Sequence, residues 1–173
     1  IPHIMEGKDL VGLANTGTGK TGAFLIPLIE KVIKDRAERV LIMVPTRELA
    51  IQIEQEFFGF AKMLRIASVT CVGGANIVPQ IRTLARDPAF VIGTPGRLKD
   101  LMERRKLDLS KFRTVVLDEA DRMLDMGFID DMRFILSQMI RERHTLFFSA
   151  TMGREIERLI GDIVATRAFS TTT

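Results

Sequence analysis

The chain has 173 residues, of which 46% are hydrophobic and 27% charged, and its formal net charge is +3. These values exclude a disordered or fibrous polypeptide and predict one domain with room for a sizeable core. No run approaches the roughly 18 apolar residues that span a bilayer and nothing reads as a signal peptide, so a cytoplasmic location is expected; a monomer is expected as well.

Short apolar runs alternate with longer segments of helical periodicity, the pattern of a parallel α/β sheet covered on both faces. Strands are expected over Leu10–Leu13, Val40–Val44, Ala67–Val72, Phe90–Ile92, Thr114–Leu117 and Thr145–Phe148. Helices are expected over Gly22–Lys34, Arg47–Leu64, Ile77–Ala85, Gly96–Arg104, a broken stretch Ala120–Met139, and Arg154–Ile160. In the second helix Leu49, Ile53, Phe57 and Phe60 repeat at helical spacing and read as a core face. Met123, Met126, Met132 and Met139 read as adaptable core fillers, and Cys71 as a small buried hydrophobe. His3 and His144 have no second ligand at metal spacing, so no zinc site is expected. The final residues, Ala168 to Thr173, lose their periodicity and read as a frayed end or an incomplete last strand.

The first chemical signal is Ala14-Asn15-Thr16-Gly17-Thr18-Gly19-Lys20-Thr21, between the first strand and the first long helix. A strand, a glycine-rich turn and a helix N-terminus form a phosphate cradle, because unpaired backbone N–H groups and the helix dipole converge on one anion. Lys20 supplies a charge for the β/γ-phosphates, and the Thr21 hydroxyl suits Mg²⁺. The strict P-loop pattern has glycine where this chain has Ala14, a replacement that a negative φ permits. Gly17 to Gly22 also spells a dinucleotide fingerprint, but the next strand ends Val44-Pro45-Thr46 and offers no acid for a ribose hydroxyl.

The second signal is Asp118-Glu119-Ala120-Asp121, directly after the apolar strand 114–117. In an open α/β sheet ligands bind at the carboxyl ends of the strands, so these acids are delivered to the edge that carries the phosphate loop. Asp118 can hold Mg²⁺ through water and Glu119 can orient and deprotonate an attacking water. The loop and the acidic tetrad are therefore expected to meet across neighbouring strands, close enough to share one hydrated ion.

Taken with Pro45-Thr46-Arg47-Glu48-Leu49-Ala50, Gly73-Gly74, Thr94-Pro95-Gly96-Arg97 and Ser149-Ala150-Thr151, these stretches resemble the ordered motifs of DEAD-box RNA helicases. The likeness runs from Ile1 to about Arg158 and is to the first of that family's two RecA-like domains, a three-layer α/β sandwich on a mostly parallel sheet. It implies that residues 14–21 bind ATP, that Thr21 and Asp118 hold Mg²⁺, and that Glu119 is the general base. Lys20, Asp118, Glu119, Ser149 and Thr151 would form the catalytic set. Ser149 and Thr151 would couple hydrolysis to duplex separation, with Asp121 as their hydrogen-bond partner. It also implies that the chain starts just after, or within, the glutamine-containing adenine-recognition motif. The second RecA-like domain, with its arginine finger, is expected in the parent and not in residues 1–173. This chain alone is then expected to bind nucleotide weakly, hydrolyse it poorly and not unwind duplexes.

RNA contact has a physical basis as well. Pro45, Thr46 and Arg47, and likewise Thr94, Pro95, Gly96 and Arg97, sit where a strand hands over to a helix. Free N–H donors and arginines there suit sugar-phosphate oxygens, and Gly73 and Gly74 let another backbone approach. None of these groups reads base edges, so binding is expected to ignore sequence. Two other readings stay open at this stage: a different P-loop nucleic-acid translocase, and a non-catalytic nucleotide- or RNA-binding module.

Overall fold

The computed structural model describes residues 1–14, 19–140 and 142–163, and the backbone of 170–172. Helix α1 (Pro2–Met5) leads into β1 (Leu10–Leu13), α2 (Lys20–Lys34) and β2 (Val40–Met43). Next come α3 (Arg47–Ala61), β3 (Ser68–Cys71), α4 (Ile77–Leu84), β4 (Phe90–Gly93) and α5 (Pro95–Glu103). The chain continues with β5 (Thr114–Leu117), α6 (Ala120–Asp125), α7 (Ile129–Ser137), β6 (His144–Ser149), α8 (Arg154–Ile163) and β7 (Ser170–Thr172).

The strands lie in the order β3-β4-β2-β5-β6-β1-β7, and every described pairing is parallel. Because side chains alternate across a strand, each buried strand feeds two cores. Leu41, Met43, Val91, Val115, Leu117 and Phe147 join one apolar cluster. Their neighbours Val40, Ile42, Phe90, Ile92, Val116 and Leu146 join the other. Helices α2 and α3 cover the second face through Phe24, Leu25, Leu28, Ile53 and Phe57. Helices α5 to α8 cover the first through Leu98, Leu101, Met123, Met132, Ile135, Ile156 and Leu159. This is the expected three-layer sandwich, and the weakly patterned C-terminus supplies a seventh strand beside β1; Ala168, Phe169 and Thr173 lie outside the described residues.

Local chemistry accounts for the boundaries. Thr46 caps α3 by accepting a hydrogen bond from the Leu49 amide at 3.2 Å. The stretch 120–139 breaks at Gly127, where the amides of Gly127 and Phe128 turn back to the carbonyls of Leu124 and Met123. Gly93 closes β4 where no side chain fits: a Cβ there would stand 2.7 Å from both the Cys71 carbonyl oxygen and Leu98 Cδ2.

Two packing expectations fail. Phe60 is 44% exposed because the buried stripe of α3 is Ala50, Ile53, Phe57 and Ala61; at 3.6 residues per turn Phe60 falls about 20° beyond Ile53, just outside the edge of that stripe. Met126 is 46% exposed because it is the C-cap of α6 and not part of its inner face. The other three methionines are buried, as is Cys71. His144 is buried too, with its ring bonded to the Lys8 carbonyl at 2.6 Å. Among the described residues no helix is long and apolar enough to cross a membrane.

Candidate nucleotide site and nucleic-acid interface

Parallel strands put all their carboxyl ends on one edge, and the order of the sheet divides that edge in two. Loops after β1, β5 and β6 form one half; loops after β2, β3 and β4 form the other.

In the first half, Lys20 Nζ lies 2.7 Å from Asp118 Oδ1, and the two side chains are only 10% and 1% exposed. The loop and the tetrad thus meet as expected, but not across neighbouring strands. β6 lies between β1 and β5, and the long lysine reaches over it. Burial pushes the Asp118 carboxyl above its usual range, against the opposing pull of Lys20. Asp118 Oδ1 also accepts the Glu119 amide at 3.0 Å, while buried Oδ2 has no hydrogen-bond partner. Glu119 caps α6 in a left-handed conformation (φ 51°, ψ 51°), an uncommon state for a non-glycine residue that clusters at functional sites. It lies 3.7 Å from Arg122.

Gly19 is the N-cap of α2, with Lys20 and Thr21 in its first turn. The Ala14 amide donates to the Ser149 carbonyl at 3.1 Å, so that N–H is held by the sheet and does not face a phosphate. Among the described residues Ala14 is not one of the non-glycine residues with positive φ, which agrees with its standing where the strict pattern has glycine. Asn15, Thr16, Gly17 and Thr18 lie outside the described residues. After β6, Thr151 Oγ1 donates to Asp121 Oδ2 at 3.1 Å, the partner the sequence suggested. Ser149 differs: its hydroxyl donates to the Thr151 carbonyl at 2.7 Å and not to Asp121.

In the second half, Thr46 and Thr94 are the N-caps of α3 and α5. The Thr46 hydroxyl oxygen accepts the capping bond, which does not use its O–H, whereas Thr94 makes no side-chain cap bond. Pro45 and Pro95 are buried, so both shape the backbone and neither presents its ring to a ligand. Gly73, Gly74 and Gly96 are exposed. Two arginines from different strand ends converge on the loop after β3. Arg47 Nη1 donates to the Gly74 carbonyl at 3.4 Å and Arg97 Nη1 to the Ala75 carbonyl at 3.2 Å.

Arg97 Nη1 also donates to Gln80 Oε1 at 2.9 Å, and Gln80 Nε2 to the Val72 carbonyl at 3.1 Å. Gln80 had no role in the sequence reading. The signal was available: Ile77, Ile81 and Leu84 pack on the core, and Gln80 is a polar residue beside that stripe.

A family model described as DEAD/DEAH box helicase matches residues 1–159. The chain belongs to this family. It is 49% identical over 160 residues to the DEAD-box ATP-dependent RNA helicase CshA of Geobacillus kaustophilus, covering 92% of this chain and 34% of that protein. Among solved structures it resembles a DEAD box protein from the hyperthermophile Methanococcus jannaschii, with TM-score 0.91 and 39% identity over 98% of this chain and 46% of the other. A hypothetical ATP-dependent RNA helicase from Sulfolobus tokodaii superposes with TM-score 0.88 and 36% identity, covering 99% of this chain and 50% of that one. The chain therefore spans about a third of the curated relative and about half of these structures, and its RecA-like fold is theirs.

Proposed function

We propose that this chain is the first RecA-like domain of a cytoplasmic ATP-dependent RNA helicase, binding ATP with Mg²⁺ in one half of the sheet edge and the RNA sugar-phosphate backbone in the other. The observation that carries the reading is the buried Lys20–Asp118 contact, which brings the phosphate loop's cation and the acidic tetrad to one point. Lys20 exchanges Asp118 for the β/γ-phosphates when nucleotide enters, so one cation serves both states. The donor set suits a hydrated divalent ion: Asp118 Oδ2 is buried without a partner, and Thr21 lies in the first turn of α2. Mg²⁺ keeps several waters and takes only one or two protein carboxylates, and once bound it would neutralise charge on the phosphates. Glu119, beside Asp118, orients the attacking water and takes its proton.

Ser149, Thr151 and Asp121 link the end of β6 to α6, and so transmit the state of the nucleotide half. Hydrolysis is coupled to local duplex separation in the two-domain parent, where the second domain supplies an arginine finger worth about 10³–10⁵ in rate in comparable enzymes. The test is phosphate release by this chain with Mg-ATP, with and without single-stranded RNA, alongside binding of a fluorescent ATP analogue. Analogue binding with only slow, weakly stimulated release is expected. Brisk RNA-stimulated turnover, or no nucleotide binding at all, would overturn the reading.

A further inference from the structure

Gln80 lies on α4, outside every stretch assigned to nucleotide or RNA, yet it is 7% exposed and both ends of its amide are engaged. A buried amide with either end unpaired is costly, so a bond at each end holds the side chain in one arrangement. Its NH₂ group donates to the carbonyl of Val72, the residue just past β3. Its oxygen accepts from Arg97, at the first turn of α5. The Arg97 nitrogen it holds also grips the Ala75 carbonyl. One side chain therefore ties the root of the loop 72–76 to Arg97, while Arg47 leans on the same loop at Gly74.

We infer that Gln80 is a positioning residue for the RNA half of the site: it presets the loop after β3 and the Arg97 guanidinium as one unit without touching RNA itself. This rests on the RNA reading of that half. An untethered arginine would be ordered only on binding, and its lost rotamer freedom would weaken the complex. Three of the guanidinium's five donors are not engaged by Gln80 or Ala75 if each bond uses a separate hydrogen, so Arg97 can be held and still meet a phosphate.

The test is a double-mutant cycle on the 173-residue chain with a fluorescein-labelled single-stranded RNA at low salt. Thermal melting and binding of a fluorescent ATP analogue are followed in parallel. Gln80→Met keeps volume and flexibility but carries no amide; it should lower RNA affinity roughly fivefold, as expected for lost buried hydrogen bonds, with nucleotide affinity unchanged. Arg97→Ala should lower it at least as much, and adding Gln80→Met to Arg97→Ala should lower it no further. Gln80→Asn keeps the amide but is too short to span both partners; it gives the same cycle if the methionine variant does not fold. Full additivity of the two changes, or unchanged RNA affinity in both Gln80 variants while Arg97→Ala binds weakly, overturns the positioning role alone. No effect of Arg97→Ala, or no RNA binding by the wild-type chain, overturns the RNA reading and this inference with it.

Discussion

The two halves of the sheet edge are built on opposite principles. In the proposed nucleotide half, charge is buried and paired: Asp118 is 1% exposed and contacts Lys20, and Thr151 bonds Asp121. In the proposed RNA half, Arg47 and Arg97 donate to loop carbonyls beside exposed glycines, and Gln80 bridges Arg97 to the Val72 carbonyl. Phosphoryl chemistry gains from fixed charges in a dry place, because a low dielectric strengthens each of them. A backbone-reading surface gains from exposed donors that meet a polyanion without sorting its bases. Damage to the first half should therefore lower stability and nucleotide binding together, and damage to the second should lower RNA binding almost alone.

The sharpest break is Lys20→Ala. It leaves a nearly inaccessible carboxylate without its counter-charge, and an uncompensated buried charge of this kind costs on the order of 3 kcal/mol at neutral pH. Denaturant unfolding of the ligand-free variant would measure it. The sign of its pH dependence follows from Asp118. A carboxyl whose folded pKa lies above its unfolded value binds its proton more readily when folded, so stability falls as pH rises through that interval. The deficit of the variant should therefore shrink on acidification from pH 7; a deficit that grows would contradict the assignment.

Gly93→Ala comes next and probes the scaffold beneath the second half, where β4 ends against β3 and α5. Its Cβ would meet a backbone oxygen at 2.7 Å, and such overpacking costs about 1–3 kcal/mol. A melting temperature equal to the wild type's would show that β3 and β4 have more room than the contacts allow. Arg47→Ala should reduce RNA affinity severalfold and lower the slope of log affinity against log salt by about one, uniformly across RNA sequences. A sequence-dependent loss would make the second half a base reader.

The smallest effect is expected far from both halves. Arg39 grips Asp87 through two bonds of 3.0 and 2.7 Å, and this holds the Asp87 carboxyl below its usual range. Its stabilisation is present above the unfolded pKa and disappears as pH falls through the lowered one. Because Asp87 is 69% exposed, solvent screening limits the loss in Asp87→Asn to below about 1 kcal/mol. Equilibrium unfolding at pH 7 and pH 3 would test it, the difference between variant and wild type narrowing at the lower pH.

Most of the scaffold was legible in the sequence. Strands at 10–13 and 114–117 have the bounds their apolar runs suggest, since a strand buried on both faces is a continuous hydrophobic run. Four-residue α1 escaped because one turn has no periodicity. Phe60 misled because it lies only a little beyond the buried arc of its helix. The motifs named the acids, the lysine and the arginines, as local chemistry at strand ends allows. Partners across the fold were less accessible: the direct Lys20–Asp118 bond spans an intervening strand, and Gln80 acts through residues from two other elements. Such pairings depend on sheet order, which no local pattern carries.

The most direct measurement of the division is paired titration of wild type and Lys20→Ala with a fluorescent Mg-ATP analogue and, separately, with labelled single-stranded RNA. The division predicts loss of analogue affinity by at least about tenfold, as for a charge-assisted phosphate contact, with RNA affinity within about twofold of wild type. Equal analogue affinity in the two proteins, or a parallel collapse of RNA binding in a variant that is still folded, would contradict it.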